Sequence, residues 1–464
     1  MSLDTASAQP PAATQATAPD LASLDPATKR RESRRVILSS YLGSTIEFYD
    51  FLLYASASAL VFPTVFFTGL DPLAGAIASY GTFAAGYLAR PLGGAVFGHF
   101  GDRLGRKKML VLSMLIMGVA STLIGLVPGA ATIGSWGAVI LIFLRVCQGI
   151  AVGGEWGGAA LMALEHSEDG KRGFAASFTN AGAPTGAALG TFILGTFAAI
   201  LPQEEFLSWG WRVPFLLSFA LLIVGMVIRA KINESPIFEA ALAQEEAKKA
   251  AGETTRKKVP IWEVLRRPKA LLLTMFAGAS GFGLQVLLAT FAVQYSTEAG
   301  SARSSVLYAF ALASIFSIFF VVWFGHLSDR FGRRPVMIAG LVLFAGFLFP
   351  LFGMLTSTNW FVLLLAFTVA LGLHGMIYGP LAAFIAEQFG TGSRYTGASL
   401  GYQLATLLGA GFTPTILATL YAGPGGGTSI VPVAVFLGGM AVVSIVALVL
   451  TRESKDHDLA THEH

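Results

Sequence analysis

Charge is what this chain lacks most. Only 12% of its 464 residues are Asp, Glu, Lys or Arg, against about 25% in a soluble globular chain. So few charges cannot cover a water-facing surface of this size, and lipid is the solvent that fits. Cysteine is equally scarce. Cys147 is the only one, which excludes an internal disulfide, and in its apolar run it reads as packing. His457, His462 and His464 sit in a polar tail with no spacing expected of a metal site. No G-x-x-x-x-G-K-[ST] phosphate loop occurs, which argues against ATP-driven work. No nucleic-acid motif is present, and neither is the nucleophile–base pair or metal cluster that a membrane-embedded enzyme would need. The expectation is therefore no enzyme, no metal and no cofactor.

What the chain does have is apolar length. Hydrophobic residues make up 54% of it, and a run of roughly 20 suffices to span a bilayer. Twelve spans are expected at about 36–62, 74–100, 109–128, 134–164, 173–201, 211–230, 270–296, 304–326, 335–355, 360–386, 396–422 and 429–451. The fourth and tenth are long and interrupted by glycine. The 53 glycines suit helices that approach closely in lipid. GGEWGG at 153–158 reads as such packing rather than a phosphate loop.

Basic residues test the topology, since cytoplasmic loops carry an excess of them. With the N-terminus in the cytoplasm, 27 of the 31 Lys and Arg fall on that side. Arg212 and Arg303 are the exceptions outside the membrane, and Arg90 and Arg145 fall within spans. An odd number of spans breaks this alternation, so both termini are expected in the cytoplasm of a multi-pass inner-membrane protein. The resulting division is a disordered tail at 1–33, a six-helix half at 34–232, a charged connector at 233–268, a second six-helix half at 269–452 and a tail at 453–464.

The halves repeat each other. GHFGDRLGRKK at 98–108 recurs as GHLSDRFGRRP at 325–335, and Glu165 with Arg172 is spaced like Glu387 with Arg394. Parallel repeats place a solute site between the halves near mid-membrane. The motif itself reads as a latch. Its glycines allow close helix ends, and Asp102 and Asp329 can accept from free N–H groups at a neighbouring helix start. Its arginines can pair with Glu165 and Glu387 across helices. Gly98, Asp102, Arg103, Gly105 and Arg106 belong to the first copy, with Glu165 and Arg172. Asp329, Arg330 and Arg333 belong to the second, with Glu387 and Arg394. The plainer alternative is that these arginines only set topology.

Ionisable groups inside spans are costly and mark functional sites. Glu47, Asp50, Arg145 and Glu155 stand out. Glu47, Asp50 and Tyr54 share one face of helix 1 by spacing; Arg145, Gln148 and Glu155 share one face of helix 4. At 1.5 Å per residue Asp50 stands about 22 Å above Arg35, and Arg145 about 14 Å below Trp136. In a core of ~30 Å those depths overlap, so an Asp50–Arg145 pair is geometrically allowed, whether as a coupling site or as a permanent packing pair. Arg90, Asn180, Gln285, His374, Tyr402 and Gln403 are further polar groups within spans that can meet a solute or merely link helices.

Residues 34–452 resemble the major facilitator superfamily. The resemblance rests on the duplicated 98–108 and 325–335 loop. It narrows to the metabolite:proton symporter family through EFYDFLLY (47–54), ARPLGGAVFGHFGDRLGRKK (89–108), RVCQGIAVGGEWGGAALMALEH (145–166), LSWGWRVPF (207–215), and SRYTGASLGYQ with GAGFTP (393–414). Members carry shikimate, 2-oxoglutarate, citrate, aromatic acids, proline or betaine, and the second half looks most like the shikimate branch. The resemblance implies an all-α major facilitator fold of two pseudo-symmetric six-helix halves, alternating access, a monomer, and a proton as coupling ion for uptake of a small metabolite. Proton-coupled sugar porters of the superfamily carry an Asp and an Arg at positions matching Asp50 and Arg145, where the pair couples protonation to transport. An efflux antiporter and a non-transporting solute sensor are the competing functions.

Overall fold

A computed structural model describes residues 26–104, 106–153, 164, 170–230, 264, 266, 268–389, 394–453 and 455. Side chains are described over these except at 26–36, 95, 98–104, 106–108, 110, 228–230, 394 and 395. Among the described residues every element is helical. That is the expected outcome for a chain in lipid, where each backbone N–H and C=O must be satisfied within its own segment.

Among the described residues twelve long helices follow one another. In the first half α1 is Pro26–Leu60 with a short continuation at Phe62–Phe66, α2 is Pro72–Leu104, and α3 is Arg106–Ile124. Then α4 is Trp136–Gly153, α5 is Arg172–Ile200 and α6 is Arg212–Ala230. In the second half α7 is Pro268–Ala289 resumed at Phe291–Glu298, α8 is Arg303–Phe331, α9 is Arg333–Leu355 and α10 is Trp360–Glu387. The last two are α11, Arg394–Thr406 with a π-turn at Leu407–Gly411 and a continuation at Thr413–Ala422, and α12, Val431–Leu450. Nine of the described helices are long and apolar enough to cross a membrane. The other three, α1, α2 and α3, have 35, 33 and 19 residues, about 28 Å or more at 1.5 Å per residue.

Local chemistry sets the boundaries. Asn359 caps α10 by accepting from the Phe361 N–H at 2.9 Å. Gly332, at φ +98°, separates α8 from α9, a conformation that a side chain would strain. One expectation changes. Helix α1 begins at Pro26, inside the stretch expected as a disordered tail at 1–33. PATKRRESRR is rich in helix formers and opens with a proline, whose missing N–H costs nothing at a first helical position. Helix α10 runs unbroken through its glycines and Pro380, because neighbouring helices pack against that stretch.

Residues 33–232 and 259–464 form one compact unit. Within it α2 packs along α4, α3 along α6, α8 and α9 along α10, and α7 along α11 and α12. Helix α5 crosses to α8 and α10, and α11 crosses to α2. These two crossings are equivalent under the repeat, as a two-fold relation of the halves demands. Large apolar side chains such as Trp136, Phe143, Phe319, Trp323 and Phe361 point outward. Inside, Ser and Thr are buried in both halves, and the buried charges among the described residues are Glu47, Asp50, Arg90 and Arg145 of the first half and Arg333 and Glu387 of the second.

Candidate functional site

The centre of the first half is built on backbone proximity. Glycines at 86, 93, 149 and 153 let α2 and α4 touch main chain to main chain. Gly86 matters most, since a Cβ there would meet Arg145 Nε at 2.8 Å and Cγ at 3.0 Å. Its absence opens the groove in which the Arg145 side chain lies.

Arg145 is fully buried. Its Nη1 donates to Gln148 Oε1 at 3.0 Å. Gln148 Nε2 in turn donates to Ser121 Oγ at 2.6 Å, and Ser121 donates to the Met117 carbonyl at 2.9 Å. The guanidinium lies over the rings of Phe51, Tyr54 and Phe83, at 4.0, 4.3 and 4.8 Å from their centroids. Tyr54 OH and Thr82 Oγ1 share a 2.6 Å hydrogen bond. Arg90 is equally buried, and its guanidinium lies 4.3 Å from the Phe51 centroid and 4.2 Å from that of Tyr87. Nε and Nη2 of both arginines have no hydrogen-bond partner among the described residues. Cation–π contact supplies part of what water would give them, about 0.5–2 kcal/mol per contact, but it leaves those N–H groups unfilled.

Asp50 and Arg145 form no ion pair here. Asp50 is buried and its Oδ1 accepts from Ser218 Oγ of α6 at 2.6 Å. Asp50 and Tyr54, at i and i+4, lie only about 40° apart on α1, so helix rotation does not separate them. The Asp50 carboxylate is held by Ser218 of α6, while the Arg145 guanidinium lies over the rings of Phe51, Tyr54 and Phe83. Glu47 is buried one turn before Asp50. Its charge and that of Arg90 both reach Tyr378 and Tyr402 of the second half.

Polar side chains tie the two halves together. Asn180 Nδ2 donates to the Tyr378 carbonyl at 2.6 Å, tying α5 to α10. Gln403 Nε2 donates to the Gly153 carbonyl at 3.3 Å, tying α11 to the end of α4. Oδ1 of Asn180 and Oε1 of Gln403 have no partner among the described residues. The His374 ring shares a 3.0 Å hydrogen bond between Nε2 and the Gly281 carbonyl and stacks on Tyr378 at 5.1 Å. Tyr402 is buried edge-to-face against Phe282 at 4.8 Å. Gln285 is buried in α7.

A second site closes the end of the bundle where α8 meets α9. Asp329 accepts from the Gly173 and Phe174 N–H groups, at 2.8 and 2.9 Å, at the start of α5. It also pairs with Arg333 Nη1 at 2.7 Å. Arg333 Nη2 pairs with Glu387 at 3.2 Å, and all three side chains are nearly inaccessible. Arg330 stands outside this cluster; it is exposed and lies over Phe331 at 5.4 Å. Arg172 opens α5 beside the cluster. Glu453 accepts from the Arg333 and Arg334 N–H groups, both at 3.0 Å, so the segment expected as a loose tail at 453–464 begins docked on α9. Of the residues named from the sequence, Gly105, Glu155 and Glu165 lie outside the described residues, as do the side chains of Asp102, Arg103, Arg106 and Arg394.

The halves also meet at the opposite end. Tyr80 OH of α2 donates to Gln294 Oε1 of α7 at 2.5 Å, and Gln294 Nε2 donates to Glu298 at 2.7 Å. Tyr308 OH donates to Thr196 Oγ1 at 3.3 Å. The halves therefore touch at both ends, with the arginines enclosed between. Sequence reasoning missed Phe51, Phe83, Tyr87, Ser121, Ser218, Ser328 and Glu453. Phe51 and Tyr87, one and three residues from named charges, carried the nearest signal.

Two pseudo-symmetric bundles with charge enclosed at their centre define a membrane transporter. The chain belongs to the sugar (and other) transporter family, whose profile matches residues 36–463. It is 40% identical over 457 residues to an inner membrane metabolite transport protein of Escherichia coli (strain K12), covering 96% of this chain and all of that one. It is 38% identical to the shikimate transporter of the same organism, covering 91% of this chain and 95% of the relative. It is 32% identical to the proline/betaine transporter of Salmonella typhimurium (strain LT2), covering 92% and 85%. Among solved structures, that of a D-xylose-proton symporter matches with a TM-score of 0.70 at 18% identity, covering 91% of this chain and 98% of that one. Another is titled as a major facilitator superfamily proton:xylose symporter and matches with a TM-score of 0.68.

Proposed function

We propose that the protein takes up a small organic acid or zwitterionic metabolite together with protons, as a monomer in the inner cell membrane with both termini in the cytoplasm. The observation that carries this reading is Arg145, fully buried with two guanidinium nitrogens unpartnered, beside an Asp50 that it does not neutralise by contact. A buried cation with free donors is a receptor for a carboxylate. Two of the relatives are named for molecules that carry one, and the fold neighbour is named as a proton symporter.

Asp50 is the proton site. A proton arriving from the acidic outside neutralises it, and Arg145 then holds the solute carboxylate without a competing anion. Gln148 holds Arg145 and is itself held by Ser121 of α3. Closure at the Asp329–Arg333–Glu387 end gives way as the halves rock, and the proton leaves inside. Glu47 and Glu155 are secondary carboxylates of the same path. Asn180, Gln285, His374, Tyr402 and Gln403 present neutral polar groups to the solute.

The test is uptake into proteoliposomes with an acidic exterior, using labelled shikimate, 2-oxoglutarate, citrate, protocatechuate, proline and betaine. Accumulation that an uncoupler abolishes is expected, and Asp50→Asn removes accumulation while leaving solute exchange. Equilibration without accumulation overturns proton symport. Extrusion driven by the same gradient identifies an antiporter, and binding without flux a sensor.

A further inference from the structure

Helix α11 departs from its partner in the repeat. That partner, α5, runs unbroken from Arg172 to Ile200 through Pro184. Helix α11 instead passes into a π-turn at Leu407–Gly411, stops at Phe412 and restarts at Thr413. Pro414 is the second residue of the new segment and has no N–H to carry the helical bonding across the joint. The Thr413 hydroxyl donates to the Gly409 carbonyl instead. A π-turn inside an α-helix is rare and tends to mark a working position. This one is gripped from two sides. A Cβ on Gly409 would collide with the Ala279 carbonyl of α7, and one on Gly411 would meet Tyr87 Cβ of α2 at 3.0 Å. The turn is therefore a fixed level of α11, packed on both halves.

The segment beyond the turn is tied to α7. Tyr421 stands edge-on to Phe291 and to Tyr295, each 5.7 Å away between centroids. Phe291 and Tyr295 stack on each other at 6.0 Å. Both belong to Phe291–Glu298, the piece of α7 that resumes after its interruption at Thr290. Phe352 of α9 lies edge-on to the same two rings, at 6.2 and 5.7 Å. The resumed piece of α7 also carries Gln294, which accepts from Tyr80 of the first half. Two neighbouring helices are thus interrupted, their far ends are clamped by aromatic rings, and one hydrogen bond from that clamp reaches the first half.

We propose that the α11 π-turn is a hinge, and that the far segments of α7 and α11 swing about Thr290 and that turn as one leaf when the Tyr80–Gln294 bond breaks. This rests on the transport reading above, in which this end of the bundle opens, and adds which parts of it move. A rigid second half would carry the whole of α11 with it. A hinged leaf moves the 10 residues of Thr413–Ala422 and leaves the stretch packed on α2 in place. Hinges of this kind are a few element-terminal residues that absorb the dihedral change, and edge-to-face rings hold the two moving ends together.

The experiment measures distances between paired spin labels by pulsed electron resonance, on the purified full chain in lipid nanodiscs. The background is Cys147→Ala, which removes the only native cysteine. Labels go on exposed Leu70, Ala299 and Thr419 and on half-buried Leu404. Leu70 with Ala299 spans the Tyr80–Gln294 contact, Leu404 with Thr419 spans the hinge, and Ala299 with Thr419 lies within the leaf. The first two pairs are expected to show two populations that shift together, and the third a single one. Tyr80→Phe removes the donor and raises the open-to-closed ratio of the first two pairs about two- to tenfold. Tyr421→Leu breaks the clamp and broadens the third. A single Leu404–Thr419 distance while Leu70–Ala299 changes makes α11 rigid and overturns the hinge. A split Ala299–Thr419 distance with Tyr421 in place, or a Tyr80→Phe that moves neither of the first two pairs, overturns the leaf. No solute or gradient is used, so the two readings fail separately. A working hinge in a protein that accumulates no solute sinks the transport reading alone, and a rigid α11 in one that does accumulate sinks only the hinge.

Discussion

The two halves spend their charges differently. In the first half Asp50, Arg90 and Arg145 are buried at the centre and lack direct ion pairs with one another. In the second half Asp329, Arg333 and Glu387 are buried at one end and paired. An unpaired buried charge is available for a ligand at the expense of stability; a paired one holds helices together and is available for nothing else. Among the described side chains the open charges thus lie in the first half and the paired ones in the second.

The sharpest way to break the comparison is Arg333→Ala. It leaves Asp329 and Glu387 buried without their cation, and a loss of about 3–5 kcal/mol is expected, read as a lowered thermal midpoint in detergent. Arg145→Gln should do the opposite. Transport falls about thirtyfold to several thousandfold, for 2–5 kcal/mol of lost charge pairing with the solute, while the thermal midpoint holds or rises. A midpoint that falls as far as that of Arg333→Ala would erase the difference. Asp329→Asn keeps the shape but weakens two bonds to the α5 N–H groups, at roughly 1.5–3 kcal/mol. Accessibility labelling should show the α8–α9 end opening more often. Asn180→Ala removes one bond across the halves, Asn180 Nδ2 to the Tyr378 carbonyl. Its cost is about 0.6–1.5 kcal/mol, visible as faster solute exchange rather than as unfolding.

Much of this was legible in the residues. The apolar runs, the second copy of the duplicated loop and the intramembrane charges Glu47, Asp50, Arg90 and Arg145 are one-dimensional signals, and among the described residues each maps to a helix or a buried group. The bond from Asp329 to a neighbouring helix start follows from an aspartate placed at a helix end. Depth along the helices and the family resemblance allowed an Asp50–Arg145 pair, but neither fixes which partner the carboxylate takes, and here it is Ser218. Phe51 went unnoticed because an aromatic in an apolar helix looks like any core residue until two arginines are found on it. The docking of Glu453 on the start of α9 joins residues 120 apart, and no local pattern announces it.

The sequence by itself determined the solvent, the number of spans, the duplication and which rare charges must be buried, because hydrophobicity, helix period and repetition act along the chain. Only the tertiary structure decided which of those charges pair and which stay open. Pairing depends on how the helices pack and on glycine contacts such as Gly86 against Arg145, where a displacement of one ångström separates a salt bridge from a vacant donor.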